Sequence, residues 1–123
     1  MSKARKNLGA WGEDLAEKQL KAQGYKIVER NWRCARGEID IVARTGQTLV
    51  FVEVKTRRGR SMGAPEAGLT PHKANKLLQL GEIYVQEQKL TEMNWRIDLV
   101  AVELDPDGHL LRCEHIPNAV LGW

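Results

Sequence analysis

The chain has 123 residues, enough for one domain with its own core, and its 42% apolar and 28% charged residues exclude a disordered polymer. No apolar run nears the roughly 20 residues that cross a bilayer, and the basic start from Met1 to Lys6 lacks the apolar segment of a signal peptide, so a cytoplasmic protein without a membrane partner is expected. A net charge of +3, from 19 basic and 16 acidic residues, is too small to identify a partner by itself.

Leu8, Trp11, Gly12, Leu15, Ala16 and Leu20 recur at helical spacing, with Asn7 as cap and Gly24 as stop. Tyr25 to Trp32 reads as a strand and Arg36-Gly37 as a turn. A second strand is predicted from Glu38 to Ala43, a hairpin turn from Arg44 to Gln47, and a third strand from Thr48 to Thr56. Arg57 to Leu69 carries Gly59, Gly63, Pro65 and Gly68 and reads as a loop. Thr70 caps a second helix that opens on Pro71, with Ala74, Leu77, Leu78, Gly81, Tyr84 and Val85 as its apolar stripe. Trp95 to Leu104 is a long strand, Asp105 to Gly108 a turn, and His109 to Ile116 a final strand. The order predicts a mixed α/β domain, residues 1–123, that begins with an antiparallel meander.

Cys34 and Cys113 lie far apart, with no Cys-x-x-Cys, and are expected as free, partly buried thiols. His72, His109 and His115 make no zinc spacing, and Cys113 with His115 supplies only two ligands. Ser2 and Ser61 sit in no nucleophile elbow, and the chain has no phosphate loop.

Carboxylates remain. Glu53-Val54-Lys55 ends the apolar run from Leu49 to Val52, where an acid and a base are out of place unless used. Alternation puts Phe51, Glu53 and Lys55 on one face and Val50, Val52 and Val54 on the other. Asp40 interrupts the neighbouring run from Ile39 to Ala43. If Asp40 and Glu53 face the same way, both reach one hard cation, which takes one or two carboxylates and completes its shell with water and phosphate. Lys55, about 7 Å beyond Glu53 along the strand, is then placed to orient or help deprotonate a water, or to stabilise charge on a phosphate.

Glu13, at the edge of the first helix's apolar face, is a possible third acid or an exposed helix carboxylate. Glu38 is either an outer acid or the solvent end of its strand, and Asp98, beside Arg96, either supports the site or makes a structural ion pair. Positive charge clusters without acids at Lys3, Arg5 and Lys6, at Arg30, Arg33 and Arg36, and at Lys55, Arg57, Arg58 and Arg60. Clusters beside carboxylates of this kind fit a polyanion.

Five segments resemble the YraN-like family of uncharacterised bacterial proteins. They are Gly9 to Ala16, Asn31-Trp32-Arg33, Arg36 to Val42, Phe51 to Arg57 and Arg96 to Val100, in that order. That family resembles archaeal-type Holliday junction resolvases and the restriction-endonuclease-like, PD-(D/E)xK nucleases. The resemblance implies a mixed sheet flanked by helices, a Mg²⁺ or Mn²⁺ site from Glu13, Asp40 and Glu53, and Lys55 as catalytic lysine. Ile39 stands where the superfamily often has Pro, a residue that is not a ligand.

The expected function is therefore a metal-dependent endonuclease acting on DNA, including branched DNA such as Holliday junctions. Arg57, Arg58, Arg60 and Arg36 are expected to contact backbone phosphates, and the loop from Gly59 to Gly68 to close over substrate. A two-fold substrate implies a homodimer. The rivals are a non-catalytic nucleic-acid-binding module of the same fold, cleavage of RNA, and an accessory protein of DNA uptake or repair. The last would show an apolar patch around Trp95 or Trp123.

Overall fold

The computed structural model describes residues 2–61 and 63–120, with the side chains of residues 2–7 outside the description. Trp123 and Met62 therefore lie outside the described residues. The elements are α1 (Ser2–Ala22), β1 (Lys26–Cys34), β2 (Gly37–Thr45), β3 (Thr48–Arg58), a 3₁₀ turn at Pro65–Gly68, α2 (Pro71–Glu87), β4 (Asn94–Leu104) and β5 (Leu110–Ile116). The helix predicted to start after Asn7 begins at Ser2, so Asn7 lies inside it and caps nothing. Thr70 does cap α2, its hydroxyl accepting from the Lys73 N–H at 3.3 Å.

The five strands form one sheet in chain order. β1, β2 and β3 run antiparallel, β3 and β4 parallel, and β4 and β5 antiparallel. The parallel step needs a crossover, and α2 supplies it. This is an α/β fold with a mixed sheet flanked by helices, compatible with the restriction-endonuclease-like architecture.

Each face of the sheet has its own core. On one, Ala16 and Leu20 of α1 pack on Ile41, Ala43, Val50, Val52, Val100 and Val102. On the other, Ala74, Leu77, Leu80, Tyr84 and Val85 of α2 pack on Trp32, Ile39, Val42, Phe51 and Ile97. Burying each Leu, Ile, Val or Phe side chain of these cores is worth about 1.5–3 kcal/mol. Two glycines bring the helices close. A Cβ on Gly81 would sit 2.5 Å from the Trp95 ring, and one on Gly12 would sit 2.0 Å from Thr56 Oγ1.

Strand alternation fails at one level of the sheet. Ile39 belongs to the α2-side core and Ile41 to the α1-side core, although they are two residues apart. On β1 Arg30 meets acids of α1 while Trp32 packs against Tyr84 of α2, and Asn31 between them has φ 55°. The kink lies beside Asp40.

Candidate functional site

β2 and β3 pair from Thr45↔Thr48 down to Ile41↔Val52 and no further. Beyond that point β2 stays with β1 as far as Gly37, and β3 stays with β4 as far as Arg58. The two strands fork, and Asp40 sits in the fork. Its Oδ2 accepts the Val54 N–H at 2.8 Å, a donor that a β2 carbonyl would otherwise take.

Asp40 has no cationic partner within 4.0 Å among the described residues, whereas Glu53 and Glu13 do. Burial first, then the charge on Glu53, pushes the Asp40 carboxyl up to about 8, against the Val54 N–H; Glu13 and Glu38 add to the rise. A half-buried carboxyl among three other acids is short of positive charge.

Glu53 Oε2 lies 3.0 Å from Lys55 Nζ, both side chains on the α2 side with about 15% of their surface exposed. Burial works against the Lys55 charge, but Glu53 outweighs it, so the ammonium holds its proton more tightly than an ordinary lysine. Lys55 also reaches round to a cavity of about 250 Å³ under the first half of α1, which Asp40, Glu13, Val54 and Arg57 help to line. Gly12 makes this possible: its missing Cβ lets α1 rest on Thr56. Glu13 is held 3.2 Å from Arg30, which also binds Asp14 at 2.7 Å.

Asp40, Glu53, Lys55 and Glu13 thus gather around the fork, with Arg57 beside them. Arg57 Nε is buried without a hydrogen-bond partner among the described residues, and its Nη2 passes so close to Gly68 that a Cβ there would lie 2.8 Å away. The other arginines lie elsewhere. Arg58 donates to the Pro106 carbonyl at 2.9 Å, Arg60 pairs with Glu103, and Arg36 is exposed on the β1–β2 turn. The loop after β3 is fastened to β5 by Arg112, which grips both oxygens of Glu66 at 2.7 and 2.9 Å.

Glu38 pairs with Arg33 at 3.0 Å and points outward. Asp98 turns out to be structural. It is fully buried and bound to Arg96 at 2.9 Å, His115 Nε2 at 2.6 Å and the Asn118 N–H at 3.0 Å. Cys34 and Cys113 are free, partly buried thiols. Trp95 is half-buried and edge-on to Phe51 at 5.3 Å.

Among the described residues, one trio offers metal-ligand atoms within 4.8 Å of one another: Asp105, Asp107 and His109. Asp105 is already engaged in building the β4–β5 turn, with Oδ1 accepting from the N–H groups of Asp107 and His109, each at 2.9 Å. Glu13, Asp40 and Glu53 stand wider apart than that trio. Their donor set still suits a hard divalent ion, which takes oxygen ligands and keeps water in the rest of its shell.

Two groups here escaped the sequence. Arg30 was read with a basic cluster, and its partners on α1 are a long-range contact that spacing does not show. Lys73 and Lys76 stand outside the basic clusters that the sequence singles out, although no acid lies between Glu66 and Glu82.

The model of the family described as "Uncharacterised protein family UPF0102" matches residues 12–102. A UPF0102 protein of Roseiflexus castenholzii is 44% identical over 98% of each chain. One of Geobacter sulfurreducens is 45% identical over 93% of this chain and 88% of its own, and one of Syntrophotalea carbinolica 43% over the full length of both. No helix among the described residues is long and apolar enough to cross a membrane.

Proposed function

The chain belongs to the uncharacterised protein family UPF0102, the YraN-like group its motifs resemble, and since that name assigns no activity we propose one from the site: a metal-dependent endonuclease that hydrolyses phosphodiester bonds in DNA. The observation that carries the proposal is Asp40, a carboxyl without a cationic partner among the described residues, in the fork of two strands and next to the Glu53–Lys55 pair.

Asp40 and Glu53, with Glu13 from α1, would hold Mg²⁺ or Mn²⁺. Such an ion supplies Lewis-acid stabilisation of charge on a phosphoryl oxygen and eases deprotonation of water. Lys55 is kept charged by Glu53 and faces the cavity, where its ammonium orients the attacking water or offsets charge building on the phosphate. Arg57 also lines this cavity, where its guanidinium would bind a backbone phosphate. Arg36 is exposed and available for the same purpose, whereas Arg60 must first give up Glu103. Branched DNA is the proposed substrate, cut by two copies related by a two-fold axis.

The test incubates purified protein with labelled four-way, flapped and linear DNA, and with RNA, in Mg²⁺, Mn²⁺ or chelator. Metal-dependent cutting is expected, reduced at least 100-fold by Glu53→Ala and by Lys55→Ala. Cutting that survives in either variant, or in chelator, would overturn this mechanism. Binding without cutting in every condition would instead favour a non-catalytic nucleic-acid-binding protein.

A further inference from the structure

We propose that the nucleic acid leaves the fork across the α2 side of the sheet, its backbone held by Lys73 and Lys76 of α2 and by Arg36. The nature of the anionic partner rests on the nuclease reading; the position of the strip rests on the features that follow.

A second cavity, of about 290 Å³, opens on the α2 side of the fork. Glu53 stands at its inner end, Leu77 and Leu80 form its apolar floor, and Gly37 with Glu38 forms one rim. Lys73 and Lys76, one helical turn apart and both exposed, form the opposite rim. The two cavities share the Glu53–Lys55 pair as their divide, for Lys55 lines the first and Glu53 the second.

The lysines continue the site's own positive charge. Lys73 comes close enough to Lys55 for their amino groups to interact, and this neighbour makes Lys73 give up its proton more readily than an ordinary lysine. The stem of Lys76 crosses the β1–β2 turn, with Cε 3.5 Å from where a Gly37 Cβ would be, and Arg36 precedes that glycine. Lys55, Lys73 and Lys76 therefore lead from the fork to the β1–β2 turn, which carries the exposed Arg36.

Five arginines outside the strip are neutralised in place. Arg30, Arg33, Arg60, Arg96 and Arg112 each pair with a carboxylate. Among the described residues, Lys73, Lys76 and Arg36 have no acid within the 4.0 Å of a salt bridge. Glu53 and Glu38 line the same cavity but pair with Lys55 and Arg33, which leaves Lys73 and Lys76 to repel each other, a cost that a polyanion removes. A nucleic-acid backbone is the extended polyanion that fits a strip leading out of a phosphodiester site, and the apolar floor beneath accepts the edge of a sugar or base.

The test uses the full chain in chelator, so that nothing is cut. Binding of labelled linear and four-way DNA is followed by anisotropy between 50 and 200 mM salt. Lys73→Gln with Lys76→Gln is expected to weaken binding about tenfold and to lower the salt slope by roughly two, one per phosphate contact. A control pair, Lys26→Gln with Lys89→Gln, removes the same charge at the opposite end of the sheet and is expected to bind as wild type. Wild-type affinity and slope in the Lys73/Lys76 variant would overturn the proposal, as would an equal loss in the control pair. Cutting by the wild type is scored separately. A protein that cuts, yet binds equally well without the two lysines, loses this inference alone. One that binds through them and never cuts loses the nuclease assignment alone.

Discussion

Asp40 and Val54 are joined by a hydrogen bond of 2.8 Å, the Val54 N–H donating to the Asp40 carboxylate across the gap where β2 and β3 part. The side chain takes the place of a ladder carbonyl. Substituting Asp40 therefore touches the sheet as well as the chemistry, and the two effects must be separated. Asn keeps an acceptor oxygen for Val54 and removes only the charge, which makes it the informative replacement.

Asp40→Asn should change how stability depends on pH. In the unfolded chain an aspartate titrates near 3.9, whereas in the fold burial and Glu53 keep Asp40 protonated up to about 8. Between those values the folded state binds more protons than the unfolded one, so stability falls as pH rises through the window. Thermal unfolding in chelator from pH 5 to 9 should show this decline in the wild type and a flatter profile in Asp40→Asn. At pH 8 the variant should be the more stable of the two. Parallel profiles would mean that Asp40 titrates as an ordinary carboxylate.

Divalent metal should reverse the penalty. An ion bound to the folded state alone stabilises it by about 2.7 kcal/mol at a hundred times its dissociation constant. Mn²⁺ at pH 7.5 should raise the melting temperature of the wild type and leave Asp40→Asn unmoved. Glu13→Gln separates the two possible roles of Glu13. If it is a ligand, the Mn²⁺ shift shrinks. If it serves only to hold Arg30 at 3.2 Å, the shift persists and the metal-free stability falls.

The order of elements was legible because period and punctuation agreed. Alternating runs ended at Gly37, Gly46 and Gly108, each with φ between 59° and 151°, and Thr70-Pro71 announced α2. The start of α1 was misplaced because Asn7 has the chemistry of a cap, while the helix in fact runs on through a basic first turn. The 3₁₀ turn was hidden in a glycine-rich loop, although Pro65 at its first position was a signal. The face of Asp40 could not be read at all. Alternation assumes an unbroken pleat, and the pleat breaks between Ile39 and Ile41. Ion pairs such as Arg30 with Glu13 and Arg60 with Glu103 join residues distant in sequence, so basic clusters there looked free.

Gly12→Ala should disable the site without touching a functional group. The added methyl would lie 2.0 Å from Thr56 Oγ1 and 3.2 Å from Thr56 Cβ, so α1 must lift or Thr56 must turn. Turning exchanges the hydroxyl for the methyl group, which relieves little. A cost of about 1–3 kcal/mol is expected, together with weaker Mn²⁺ binding as Glu13 moves with the helix. Thr56→Ala on the same background removes the hydroxyl and the methyl and should restore both measurements. Failure of that rescue would place the defect outside the Gly12–Thr56 contact.

Asp98 supplies the contrasting case, a buried acid that holds the fold rather than the chemistry. Desolvation raises its proton affinity, yet hydrogen bonds from His115, Arg96 and the Asn118 N–H more than offset it, and the carboxyl is held below its ordinary value. A depressed acid stabilises the fold above its unfolded value near 3.9, and that contribution is lost as pH falls through the lower folded value. Asp98→Ala leaves Arg96 and His115 without their shared acceptor and should cost about 3–5 kcal/mol by urea unfolding. Asp98→Asn keeps the acceptor for Asn118 but loses the charge, and should fall between the two. The network reaches Tyr25 through Arg96 at 2.7 Å and Gln23 through His115 at 2.7 Å, so it ties the end of α1 and the start of β1 to β4 and β5. None of these contacts reaches Lys55 or Asp40. Below the melting temperature of Asp98→Asn, Mn²⁺ affinity should therefore match the wild type. A loss of affinity in a protein that remains folded would make Asp98 part of the site after all.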